Sequence, residues 1–261
     1  MLITLTTDFG TRDWFVGAMK GVISEIAPDA RVIDITHEVP PGDLVNGAFA
    51  LASSSPHFPS GTIHVAVIDP GVGSSRQALA IRTQNAIFIG PDNGILSWAV
   101  REQPVEEIRM LNNYSWFLEP VSQTFHGRDV FAPSAAHLAA GACFEEAGAL
   151  LEDFVRLPWP EIEKGDMNIR GEVIYIDHFG NAISNLPASA FPPAILEKGL
   201  LATTYGGHTL PLHHCYDDVP CGQPLTILGS SGLLELCLNG GNFAGQTGIG
   251  VGSTIDATWG Q

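Results

Sequence analysis

The chain has 261 residues, 45% of them hydrophobic and 15% charged, and a formal net charge of −16 at pH 7. That length supports one large domain or two modest ones, and the ordinary apolar content excludes a disordered chain. The acidic balance argues against nucleic acid or an anionic membrane surface as partner; it suits a cationic small molecule, or serves solubility alone.

The opening Met1-Leu-Ile-Thr-Leu-Thr-Thr-Asp8 has no basic leader and reads as no signal peptide, and no apolar run reaches bilayer length. Cys143, Cys215, Cys221 and Cys237 lack CxxC spacing, as expected of a reduced, cytoplasmic protein.

Leu2–Thr7 alternates as a strand, with Asp8-Phe9-Gly10 as the turn behind it. Phe15, Met19, Val22, Ile23 and Ile26 recur at helical spacing up to Pro28. Arg31–Thr36 is a second strand, Asn46–Ala52 a second helix, and Thr62–Ile68 a strand apolar on both faces. Ala78–Arg82 and Ala86–Ile89 are two more strands. After Pro91-Asp-Asn-Gly94 the reading gives a short helix, irregular chain to Thr124, and an Ala-rich helix N-capped at Pro133-Ser134.

Strands alternating with helices predict an N-terminal α/β domain, residues 1–157, with a central, mostly parallel sheet flanked by helices. Residues 158–168, rich in Pro and charge, read as a linker. Gly171–Ile176, Gly199–Tyr205, Leu225–Leu228 and Leu233–Leu238 are strands broken by Gly and Pro, with no clear helix. Residues 169–261 are therefore expected to form a smaller all-β domain of barrel or sandwich type.

The polar residues gather at strand ends. Val65-Ala-Val-Ile-Asp-Pro-Gly-Val-Gly-Ser-Ser-Arg76 is a buried strand stopped at Asp69-Pro70-Gly71, with Arg76 returning a positive charge. A structural ion pair tying down the turn fits that spacing, and so does a carboxylate at the ligand-binding end of a parallel sheet. Asp8 ends the first strand in the same way, as a turn residue or as an acceptor for a ribose diol. Asp177-His-Phe-Gly-Asn181 is a hairpin turn, or a site where Asn181 donates to and accepts from an adenine edge and Phe179 stacks on a base. The Gly229-Ser-Ser-Gly232 turn and the Asn239-Gly-Gly-Asn242 loop expose backbone N–H groups suited to an anion. His213-His214 with Asp217 and Asp218 lie in a Pro/Gly loop that rarely closes a metal shell, so no metal is expected. Neither a thiolate nucleophile nor a G-x-S-x-G elbow is present, and the kinase-like fragments Asp8-Phe-Gly and His126-Gly-Arg-Asp129 stand in the wrong order.

Taken together, Thr7-Asp8-Phe9-Gly10, Ile68-Asp-Pro-Gly-Val-Gly73, Pro91-Asn93-Gly94, Phe125-His-Gly-Arg128, Ile176-Asp-His-Phe-Gly-Asn181 and Gly229-Ser-Ser-Gly232 stand in one order along nearly the whole chain. In this the sequence resembles the S-adenosyl-L-methionine hydroxide adenosyltransferases, hydrolytic relatives of the fluorinases and chlorinases. The resemblance implies a homotrimer, with ligand between the N-terminal domain of one protomer and the C-terminal domain of its neighbour. It implies that Asp8 holds the ribose diol, that Phe179, Asn181 and the backbone near Gly240 hold the adenine, and that Phe125 belongs to the substrate-binding set. It also implies that Asp177 with Ser230 and Ser231 holds the methionine end, and that Asp69, Arg76 and His126 handle water. In the halogenases the positions of Asp69, His126 and Gly127 carry Tyr, Tyr and Ser, and an insertion separates the strands that only Thr83-Gln-Asn85 joins here.

The implied reaction converts S-adenosyl-L-methionine and water to adenosine and L-methionine, with no cofactor. A halide would meet Asp69: at about 4 Å and an effective dielectric near 20 the repulsion is roughly 4 kcal/mol, close to a thousandfold in occupancy. The alternatives are a halogenase and a protein that binds S-adenosylmethionine or adenosine with negligible turnover.

Overall fold

The computed structural model describes residues 1–260. It divides into two compact units, Met1–Pro158 and Trp159–Gln261. Among the described residues no helix is long and apolar enough to cross a membrane.

The first unit runs β1 (Leu2–Thr7), α1 (Phe15–Ile26), β2 (Arg31–Thr36), α2 (Leu44–Ser54), β3 (Thr62–Val67), β4 (Ala78–Thr83), β5 (Ala86–Pro91), β6 (Val105–Met110), α3 (Ala132–Ala139) and β7 (Leu150–Leu151). Its seven-stranded sheet has the order β2-β1-β3-β5-β4-β6-β7. Strands β2, β1, β3 and β5 are parallel, whereas β4, β6 and β7 add on antiparallel. The sheet is mixed. Two residues, Gln84 and Asn85, join β4 to β5, so those strands can only form a hairpin.

The chain leaves β1 for β2 on one side and reaches β3 on the other, so strand order reverses between β1 and β3. Open α/β sheets leave a crevice at the carboxyl ends of such strands. The apolar stripe of α1 (Met19, Ile23, with Phe15 and Val22 beside them) and the Ala-rich face of α3 close over Ile3, Leu5, Ile63, Val65 and Val67. Each such aliphatic side chain, fully buried, contributes roughly 1.5–3 kcal/mol.

Three parts of this unit differ from expectation. Residues 95–100 form consecutive turns, with no helix. The segment read as irregular contains β6, whose Val-Glu-Glu-Ile-Arg-Met hides a strand pattern because its charges pair sideways: Glu107 stands opposite Arg82 on β4 and bonds to it. Ser134 lies inside α3 and donates to the Val130 carbonyl (2.7 Å), so it is no N-cap; the helix grows instead from a π-helical turn over Gly127–Phe131.

The second unit contains β8 (Glu163–Lys164), β9 (Asn168–Ile176), β10 (Ala182–Pro187), α4 (Pro193–Glu197), β11 (Leu201–Tyr205), β12 (His208–Pro211), β13 (Pro224–Leu228), β14 (Leu233–Leu238), α5 (Phe243–Thr247) and β15 (Thr254–Trp259). The sheet order is β12-β11-β15-β9-β10-β14-β13, with β8 beside β9. All pairs are antiparallel, and a bridge from Leu212 to Thr226 joins the two ends into a nearly closed barrel. Such closure leaves few free edges.

Inside sit Ile169, Val173, Leu186, Leu201, Leu234, Leu236 and Ile255. Part of the stretch read as a linker is therefore structured, since Glu163 and Lys164 pair with Arg170 and Ile169. The short helices α4 and α5 escaped the sequence reading because five residues carry less than two helical periods.

Candidate active site

Asp8 follows β1, and Asp69 lies two residues beyond β3, the neighbouring strand in parallel register. Both carboxylates line one cavity of about 370 Å³, together with Phe9, Gly42, Val67, Val72, Phe125 and His126. Its size suits a small-molecule ligand. Asn93 pins the floor: its amide donates to the Ile68 carbonyl at 2.9 Å and holds the end of the strand just before Asp69.

Asp69 is the centre of a charge network. Arg76 Nε donates to both carboxylate oxygens at 3.0 Å, and its Nη2 bonds to Oδ2. Both side chains are buried, 4% exposed for Asp69 and 11% for Arg76. A bidentate guanidinium–carboxylate fork of this kind is strong and geometrically specific.

Arg76 Nη2 also reaches His126 Nδ1 at 2.7 Å. A guanidinium has only donors, so Nδ1 must accept, and the imidazole is the neutral tautomer protonated on Nε2. Burial first, and then the positive charge of Arg76, hold the His126 pKa below its usual 6.5. The Ser122 carbonyl favours a proton on the ring and so opposes part of that shift.

The turn and the loop that carry these groups are brought together by Gly73. It has φ +77°, and a Cβ there would lie 2.4 Å from the Gln123 carbonyl oxygen. Only glycine permits that approach. The facing loop is held by Asp129, which is fully buried and accepts from Arg128 Nε (2.6 Å) and the Ser122 backbone N–H (2.8 Å). The sequence reading set Asp129 aside as part of a chance kinase-like fragment; a buried Asp behind His126 is its structural signature.

Asp8 accepts the Gly42 backbone N–H at 2.8 Å. Its pKa is raised, chiefly by burial, with the charge of Asp69 adding to that. Phe125 is buried in an aromatic cluster, edge-on to Phe9 (5.8 Å), Phe15 (5.1 Å) and Trp14 (5.6 Å). It forms part of the cavity wall.

In the second unit, Asp177 closes the turn after β9. Its Oδ1 accepts the backbone N–H of Phe179 (2.9 Å) and Asn181 (2.8 Å), and Oδ2 accepts Asn181 Nδ2 (2.8 Å). Asn181 Nδ2 also donates to the Tyr216 hydroxyl at 3.1 Å. Both amide hydrogens of Asn181 are thus used, and only its Oδ1 is left for a ligand. The expectation that Asn181 both donates and accepts narrows to acceptance alone.

Phe179 is 71% exposed, its ring open to stacking. Ser230 and Ser231 are exposed at the tip of the β13–β14 hairpin, closed by Gly232 N–H to the Gly229 carbonyl (2.9 Å). Gly240 sits against Cys221 in the loop before α5.

Sequence reasoning found no use for the 213–221 loop. In the fold it lays Tyr216 on Asn181, while Val219 packs with Leu225, Ile227 and Cys237 on the outer face of β13 and β14. Burial raises the Tyr216 pKa, and lifts that of the Cys237 thiol to about 12. Sequence reasoning also missed Glu235, buried between Leu234 and Leu236; a lone acid inside Leu-Leu-Glu-Leu-Cys-Leu was the available signal.

Fold and crevice together define an α/β unit with an acidic cleft at its switch point, joined in sequence to a β-barrel unit. Descriptions of the SAM hydroxide adenosyltransferase N-terminal and C-terminal domains match residues 3–148 and 171–256. The chain belongs to this family.

Its relatives include an (R)-S-adenosyl-L-methionine hydrolase of Salinispora arenicola, 42% identical over 99% of this chain and 98% of that protein. A namesake of Thermus thermophilus is 36% identical over 95% and 96%. A fluorinase of an Actinoplanes species is more distant, 27% identical over 98% and 97%. Among solved structures, an uncharacterized conserved protein of Thermotoga maritima superposes with TM-score 0.91 at 34% identity, covering 99% of this chain and all of that one.

Proposed function

We propose that this protein hydrolyses S-adenosyl-L-methionine to adenosine and L-methionine by in-line attack of water on ribose C5′. The observation that carries the reading is the Asp69–Arg76–His126 network beside Asp8 at the ends of β1 and β3. The sequence similarity to proteins named (R)-S-adenosyl-L-methionine hydrolase supports it.

The C5′–S bond breaks with its electron pair going to sulfur, which leaves as a neutral thioether. No leaving-group acid is required, and no cofactor is part of the proposal. The difficulty lies in the nucleophile, because free water has a pKa near 15.7. Asp69 orients the water and accepts its proton as the O–C5′ bond forms. Arg76 stabilises the developing hydroxide charge from the same side. His126, with Nδ1 committed to Arg76, is a positioning residue and does not take the proton.

Asp8 takes the ribose hydroxyls. Phe179 stacks on the adenine, Asn181 Oδ1 accepts from its exocyclic amine, and the backbone at Gly240 lies along its edge. Phe125 walls the pocket. Asp177 and the Ser230-Ser231 tip serve the methionine end.

Halide discrimination needs a revised account. Arg76 neutralises much of the Asp69 charge, so the roughly 4 kcal/mol expected for an unpaired carboxylate is an upper bound. Exclusion then rests on Asp69 and Arg76 being arranged for a hydrogen-bonding nucleophile.

Chromatography of protein with S-adenosyl-L-methionine tests the reading, using both sulfonium epimers, with and without chloride. Adenosine and methionine in a one-to-one ratio are expected, and a 5′-chlorinated nucleoside or unconverted ligand would overturn it. The proposal includes the homotrimer, for which light scattering should give three times 27.8 kDa. It also includes a cytoplasmic location, in keeping with four unpaired cysteines and checked by cell fractionation.

A further inference from the structure

The first unit holds a second chain of polar contacts that no step of the proposed reaction uses. It begins at Thr7, the last residue of β1, which is fully buried, and at His37, the first residue after β2, which is 4% exposed. Thr7 Oγ1 lies 2.8 Å from His37 Nδ1 and accepts the Phe9 backbone N–H at 3.3 Å. On the far side of the ring, Nε2 lies 3.1 Å from Asp34 Oδ1 without hydrogen-bond alignment, and Asp34 Oδ2 accepts from Lys20 Nζ at 2.6 Å.

His37 grips the same turn a second time. Its backbone carbonyl accepts the Gly10 N–H at 2.7 Å. The side chain thus holds the residue before Asp8, and the carbonyl holds the second residue after it. Further bonds join the same two loops: the Gly42 N–H donates to Asp8 Oδ2 at 2.8 Å, and the Thr11 hydroxyl to Glu38 Oε1 at 2.9 Å.

The turn needs none of this merely to form. Gly10 has φ +67°, a conformation that glycine adopts without strain. Burying an imidazole against a hydroxyl has a desolvation cost that an apolar pair of the same shape avoids. What the polar pair adds is direction. A carboxylate facing Nε2 favours the neutral ring's proton there, so Nδ1 accepts the Thr7 hydroxyl. That hydroxyl in turn accepts from Phe9, so Thr7 and Phe9, the residues on either side of Asp8, share one hydrogen-bonded anchor.

We propose that His37 is a positioning residue for the ribose site: through Thr7 and the Gly10 N–H it fixes the direction of the Asp8 carboxylate. This rests on the reading of Asp8 as the acceptor of the ribose hydroxyls and extends that site behind the cavity wall. Part of the Asp8 acceptor capacity is already given to the Gly42 N–H. A vicinal diol presents paired O–H donors at a fixed separation, so the remaining lone pairs receive both only in a set orientation. Holding such groups in place is the task of the residues behind them.

The test compares adenosine with 2′,3′-dideoxyadenosine, which differs only in lacking the diol, by titration calorimetry on the full chain. Wild type should prefer adenosine by about tenfold or more, the magnitude of a hydrogen bond to a charged group. Thr7→Val keeps the shape of the buried side chain and removes its hydroxyl. It should cut that preference to about threefold or less while dideoxyadenosine binds within about twofold of wild type. Thr7→Ser restores the hydroxyl and should recover the preference. His37→Phe keeps a ring and the backbone carbonyl but removes Nδ1, and it should repeat the selective loss; it decides the matter if Thr7→Val does not fold.

A merely structural role would weaken both ligands alike, and that result, or a preference left intact in both variants, would overturn the proposal. Equal affinities in wild type would overturn it together with the ribose role of Asp8. Adenosine production from S-adenosyl-L-methionine is scored separately, so a failed hydrolase reading leaves the ligand comparison standing.

Discussion

The two polar clusters of this protein use carboxylates in opposite ways. In the first unit Asp69 is locked by a bidentate arginine, the arginine is locked by His126, and the loop behind His126 is fastened by Asp129. In the second unit Asp177 is equally committed, but Glu235, 7% exposed, stands beside that like charge and its pKa is raised to about 7. A satisfied network is rigid and holds a fixed geometry, which suits the placing of a nucleophile. A carboxylate whose pKa is raised by burial and by a like charge costs stability once it ionises. The proposed catalytic cluster is thus preorganised, and the second cluster holds a carboxylate that destabilises the fold when it ionises.

The largest effect should come from the centre of the locked network. Asp69→Asn removes the proton acceptor and the anionic half of the fork, and turnover should fall by about a thousandfold, within the range for loss of general base catalysis. Adenosine formation measures it; a variant within tenfold of wild type would place the base elsewhere.

Gly73→Ala attacks the same cluster through the backbone. A side chain in left-handed conformation costs about 1–2 kcal/mol before the contact with Gln123 is counted. At about 2–4 °C per kcal/mol, thermal melting should fall by ~5 °C or more.

Glu235→Gln should do the reverse in the second unit. With the folded pKa raised from 4.5 to about 7, the unfolded chain ionises first as pH rises. Stability therefore declines through that window and stays low above it. The shift corresponds to about 3 kcal/mol at most, so the variant should match wild type near pH 4 and be more stable above pH 7, as read by denaturant unfolding.

The smallest effect is expected at His126. Because its pKa lies below 6.5, any acid limb it causes in the pH–rate profile should fall below that value. His126→Gln keeps an acceptor for Arg76, so it should abolish that limb while keeping turnover within about tenfold. A limb left unmoved would assign it to another group.

Much of the first unit was legible because its signals are local. A both-faces-apolar run stopped by Asp69-Pro70-Gly71 announces a buried parallel strand with a polar end, and the 3.6-residue period from Phe15 to Ile26 announces α1. Strand β6 was not legible, because its charges are balanced by Arg82, which is distant in sequence. Glu235 was passed over for a related reason. In sequence it is one acid in an apolar strand, and only the fold brings Gly229 and the charge of Asp177 beside it.

By itself the sequence determined the ends of the strands where the candidate polar residues stand, since turn formers and hydrophobic periods act within a few residues. The order of strands, and hence the meeting of Asp8 with Asp69 at one crevice, was decided by tertiary structure. So were the protonation of His126, the narrowing of Asn181 to an acceptor and the raised pKa of Glu235. Each of these depends on which groups, far apart in the chain, come within hydrogen-bond reach after folding, and no local pattern encodes that distance.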